Sequence, residues 1–133
     1  MRYALLIHYQ QPPVPALTEE QMREGMAAFH AYAAALDEAG VLRSAEVLQT
    51  VDAATSVSVR DGGLRVQDGP FAETKEAFAG IFMIDVPDLD AALAWAEKCP
   101  AAQWGTVEIR PSAVRFVDGA WVGAAPDVQP ARG

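Results

Sequence analysis

A chain of 133 residues, 51% of them apolar and 21% charged, is long enough for one hydrophobic core and too short for two, and this composition excludes a wholly disordered polymer. The formal net charge of -8 would repel a phosphate backbone, and no run of Lys or Arg offsets it locally, so nucleic acid is not an expected partner. Cys99 is the only cysteine, which excludes an intrachain disulfide and any site built from several thiolates, and fits a reducing cytoplasm.

Residues 2–9 form a bulky apolar run that reads as a central strand buried on both faces. The run is too short for a membrane span or the core of a signal peptide, so no membrane partner is expected. A loop marked by Pro12, Pro13 and Pro15 leads to Thr18, which forms a capping box with Gln21 and starts a helix. Met22, Met26, Phe29, Ala33 and Leu36 recur at helical spacing and predict the core-facing side, and Gly40 supplies the stop.

Extended segments follow at 41–51 and 56–60, and Asp61-Gly62-Gly63 turns the second of these into Leu64-Arg65-Val66 as a hairpin. Residues 77–86 read as another largely buried strand, with Gly80 marking a bulge or a close backbone approach. Asp88 opens a second helix in which Leu89, Leu93 and Ala96 share a face, with Trp95 on the flank, and Pro100 ends it. Residues 105–110 give the last core strand, stopped by Pro111.

This order is the split βαβ pattern of a ferredoxin-like α+β fold: an antiparallel sheet carrying both helices on one face. It predicts one domain over residues 1–113. The extension 114–133, with Phe116, Val117, Trp121 and Val122, would add an edge strand or embrace a partner through its first part and end as a mobile tail. Strands apolar on both faces leave an uncovered sheet surface, and a face-to-face homodimer is the economical way to bury it.

The segment Asp68-Gly69-Pro70-Phe71-Ala72-Glu73-Thr74-Lys75-Glu76, followed by Gly80-Ile81-Phe82, resembles the signature of the DGPF branch of the YCII-related family. Leu89-Asp90 with Ala92 in the second helix and Val107-Glu108-Ile109-Arg110-Pro111 extend the match, which covers residues 1–111. The resemblance implies a dimeric α/β barrel with a cleft between helices and sheet or at the subunit interface. In an enzymatic branch, which includes a dehydrochlorinase of a chlorinated hydroxyhydroquinone, a His in the first helix pairs with an acid just before the helix-ending Gly. Here the candidates are His30 with Asp37 or Glu38, although alignment on Gly40 puts Phe29 at the position of the His. Other relatives are encoded beside extracytoplasmic-function sigma factors.

His is the side chain best suited to proton transfer near neutral pH, and the chain has two, His8 at a strand end and His30 in a helix. Asp68 begins a turn that its carboxylate can brace, while Glu73, Lys75 and Glu76 crowd both charge signs beside a strand entrance. Glu108 and Arg110 alternate on the last strand and so share a sheet face, where they would fix a dimer by ion pairs or meet a ligand. No phosphate loop, metal-ligand spacing or nucleophile motif is present.

The expectation is therefore a cofactor-independent small-molecule enzyme of lyase or isomerase type, or a ligand-binding dimer. Its catalytic candidates are His8, His30 and Asp68, and its substrate-binding candidates are Glu73, Lys75, Glu76 and Arg110. The alternative is a non-catalytic regulatory module that acts as a partner of a sigma factor.

Overall fold

The computed structural model describes residues 1–123. In chain order the strands are β1 (Arg2–Tyr9), β2 (Leu42–Val47), β3 (Thr55–Arg60), β4 (Gly63–Asp68), β5 (Ala77–Asp85), β6 (Thr106–Pro111), β7 (Val114–Val117) and β8 (Ala120–Gly123). Helix α1 (Glu19–Glu38) follows β1, and α2 (Leu89–Lys98) follows β5. β1, β2, β5 and β6 form one antiparallel sheet in the order β2-β5-β1-β6. This is the ferredoxin-like arrangement that the sequence predicts.

Local signals fix the ends of the helices. The Thr18 hydroxyl accepts from the Gln21 backbone N–H at 3.1 Å, and the Gln21 side chain accepts from the Thr18 N–H at 3.0 Å, completing the capping box. At the other end Val41 N–H bonds to the Leu36 carbonyl and Gly40 N–H to that of Asp37, the paired bonds of a Schellman motif. Asp88 caps α2 by accepting from Ala91 N–H at 2.9 Å.

The core lies between the sheet and both helices. Tyr3, Leu5 and Ile7 of β1 and Phe82 and Ile84 of β5 meet Tyr32 and Leu36 of α1 and Ala92 and Ala96 of α2, with Cys99 closing one end. Leu5, Leu36 and Ile84 are fully buried, each contributing roughly 1.5–3 kcal/mol by leaving water. The Tyr32 hydroxyl donates to the Trp95 carbonyl at 2.7 Å and ties the helices together. Burial, and secondarily the nearby Cys99, pushes the Tyr32 phenol above its usual range, and burial also raises the Cys99 thiol.

Three details differ from the sequence expectation. Met22 and Met26 are exposed, and α1 buries Tyr32 and Leu36 instead, with Phe29 and Ala33 half-buried. In α2 the buried pair is Ala92 and Ala96, whereas Leu89 and Leu93 face out; small side chains let the helix axis approach the sheet closely. β1 is buried only on its helix side, with Ala4, Leu6 and His8 half-buried on the other.

Outside the main sheet, β3 pairs with β4 as a separate two-stranded ribbon. Its two-residue turn has Asp61 at φ 53° and Gly62 at φ 76°, the left-handed pair that a type I′ hairpin needs. β7 and β8 likewise pair with each other rather than adding an edge to the main sheet. The tail expected after them lies outside the described residues. Among the described residues, no helix is long and apolar enough to cross a membrane.

Candidate functional site

The sheet face turned away from the helices follows from register. Leu5 and Ile7 point into the core, so Ala4, Leu6 and His8 point to the open side. Pairing of β1 with β6 then sets His8 opposite Thr106, Leu6 opposite Glu108 and Ala4 opposite Arg110. On the other flank His8 pairs with Phe78 across a bulge in the β1–β5 ladder. A row of polar β6 side chains is thereby laid alongside His8, which the alternation of that strand requires.

His8 Nε2 lies 3.1 Å from Glu108 Oε1, and Arg110 Nη1 lies 3.6 Å from Glu108 Oε2. The Phe78 ring stands 5.6 Å from the imidazole, giving His8 an apolar neighbour on one side. Glu76, at the end of the 69–76 loop, accepts from the Thr106 hydroxyl at 2.7 Å. His8, Glu76, Thr106 and Glu108 together line an open depression of about 430 Å³.

Steric contacts hold this cluster in place. A Cβ on Gly105 would collide with the His8 carbonyl oxygen and stand 2.9 Å from the Tyr9 side chain, so only glycine lets β6 begin there. A Cβ on Gly80 would meet the Glu46 carbonyl at 2.8 Å, the close approach that the sequence marks at that residue.

The chemistry follows from the donor set. An ionised carboxylate only accepts, so a hydrogen bond with Glu108 requires the proton on His8 Nε2 and leaves the ring lone pair on Nδ1. The pair then has a base in Nδ1 and a carboxylate positioned to stabilise the imidazolium once it forms. With a side-chain exposure of 25%, His8 is sheltered yet reachable, whereas Arg110 is largely in solvent.

Of the residues singled out in the sequence, His8 and Glu76 meet in the depression, and Arg110 joins through Glu108. Glu73 and Lys75 are exposed on the loop and do not line it. Asp68 ends β4 opposite Thr55, and the turn after it is held by the Ser56 hydroxyl on the Gly69 carbonyl at 2.8 Å and by Gln67 on the Pro70 carbonyl at 3.1 Å. His30 is exposed on α1, on the helix side of the sheet. Its neighbour Phe29 packs inward against Phe82 and Trp104.

Thr106 is absent from the sequence candidates, although stepping back two residues from Glu108 would have placed it on the same face. Cys99, 1% exposed, is a core residue. Among the described residues no group of three or more His, Cys, Asp or Glu side chains is arranged to hold a metal ion.

The model of the YCII-related domain matches residues 1–114. An uncharacterised protein of Rhizobium meliloti (strain 1021) is 34% identical over 116 residues, which cover 86% of this chain and 94% of that protein. The match spans the whole four-stranded sheet, both helices and every member of the His8 cluster, and the chain belongs to the YCII-related domain family.

Proposed function

We propose that the open sheet face is a small-molecule site performing cofactor-independent acid–base chemistry of the lyase or isomerase type, within a homodimer whose second copy covers that face. His8 Nδ1 takes a proton from the substrate, Glu108 stabilises the resulting imidazolium, and Arg110 offsets negative charge that develops on a substrate oxygen. Glu76 and Thr106 supply an acceptor and a hydroxyl for polar groups of the substrate. The observation that carries this reading is the His8–Glu108 contact of 3.1 Å on a face left open by the helices. The half-buried Leu6, Ile81 and Met83 beside it support closure by a second copy, since apolar strand faces are normally covered. A cytoplasmic setting suits a chain whose single cysteine is a buried free thiol.

The test is solvent-deuterium incorporation, read by mass spectrometry, into a panel of phenols and enolisable carboxylic acids. The wild-type chain should catalyse exchange into at least one member. His8→Gln should lower that rate by about 100-fold or more, the usual contribution of a general base, while His30→Gln leaves it unchanged. Exchange that survives in His8→Gln would remove the proposal.

A further inference from the structure

The β3–β4 ribbon carries a pattern that the single chain does not use. Its register sets Val57 opposite Val66 and Val59 opposite Leu64, so four aliphatic side chains occupy adjacent rungs of one side. Ser56, Ser58, Arg60, Arg65 and Gln67 fall on the other side, while Thr55 and Asp68 close the base of the aliphatic side. Such strict alternation is that of a ribbon with one dry and one wet face. Yet Val57, Val59, Leu64 and Val66 are 64%, 61%, 69% and 62% exposed. A two-stranded ribbon is marginal by itself in water, and this one is hydrogen-bonded as a sheet of its own.

We propose that the ribbon is an intersubunit arm whose aliphatic side seats on a second copy of this chain. This rests on the homodimer reading above and adds the element that grips. Burying a whole Val or Leu side chain removes roughly 60–120 Å² from water, so the exposed part of these four amounts to roughly 150–300 Å². A two-fold axis repeats the contact, and each arm covers an equal area on its partner. The total, roughly 600–1,200 Å², approaches the lower end of stable protein interfaces and adds to the area of the covered sheet face.

Charge admits the same occupant. The ribbon, residues 55–68, contains Arg60 and Arg65 against Asp61 and Asp68, a net charge of zero, so the whole -8 of the chain lies on the remainder. The arm is a part of one copy that the acidic body of another does not repel.

Sedimentation equilibrium of the full chain tests the arm. The wild type should be a dimer, and a variant combining Val57→Thr, Val59→Thr, Leu64→Thr and Val66→Thr should raise its dissociation constant by about 100-fold or more while keeping the circular dichroism of the fold. A variant that dimerises as tightly as the wild type overturns the arm and leaves the dimer standing. A monomeric wild type at high micromolar concentration overturns both. Should the variant fail to fold, hydrogen exchange of the wild type over a range of protein concentrations decides. Protection of amides 55–68 that rises with dimer population supports the arm, and protection independent of concentration refutes it.

Discussion

His8 gains its chemistry from neighbours that are remote in sequence but one strand away. Glu108→Gln keeps the shape of the carboxylate but removes the charge that would stabilise an imidazolium, and should lower the deuterium-exchange rate by about 10-fold or more through the rate constant rather than the KM. Gly105→Ala forces a methyl group onto the His8 carbonyl; the expected result is a loss of thermal stability, read by calorimetry, of about 1–3 kcal/mol. Far from the site, Asp85 accepts a hydrogen bond from the Met1 ammonium at 3.0 Å, with Arg43 at 3.7 Å. That bond, aided by the charges of the ammonium, Arg43 and Arg2, holds its carboxyl below the usual range despite some desolvation.

A depressed folded value contributes stability above the unfolded one and loses it as pH falls through the folded value, so the effect should fade below about pH 4. Asp85→Asn should therefore lower the urea midpoint slightly at neutral pH and not in strong acid, a small difference because the carboxylate is partly exposed. Alternation made Glu108 and Arg110 legible in the sequence as residues of one face. The pairing of that face with His8 was not, because register belongs to two strands together. His30 shows the opposite case. One residue on a helix is a turn of about 100°, and that turn packs Phe29 against the core and leaves His30 in solvent.

Among the elements, ends were more legible than faces. Thr18, Gln21, Gly40 and Asp88 announce their helix boundaries through side-chain and backbone chemistry that acts within four residues, and each works as its type predicts. Thr18→Ala should cost about 1 kcal/mol in a denaturation titration, since it removes the acceptor of the Gln21 N–H. The buried faces obeyed another rule. Hydrophobicity alone would bury Leu89 and Leu93, but the space between α2 and the sheet is filled by Ala92 and Ala96. How closely a helix packs is decided by its partner surface, which no window of the helix sequence contains. The same holds for Met22 and Met26, whose half of α1 contains no buried residue. The hairpin of the β3–β4 ribbon was legible, because its turn and alternation are both local, whereas its separation from the main sheet was not.

For the molecule as a whole, the order of elements specified the fold, and the split of apolar residues between both sheet faces supports the proposed dimer. One face holds the core, and the other holds His8, Glu108, Arg110 and the half-buried Leu6, Ile81 and Met83. A site on such a face is sheltered only when something covers it, so assembly and chemistry are tied together in this account. Since the chain contains only two histidines, the decisive measurement is simple to assign. Ring-labelled histidine spectra should be recorded during titration with whichever panel compound undergoes exchange. If His8 is the base, its ring signals move with saturation and those of His30 stay still; a response confined to His30, or none at either ring, would show that His8 is not the base.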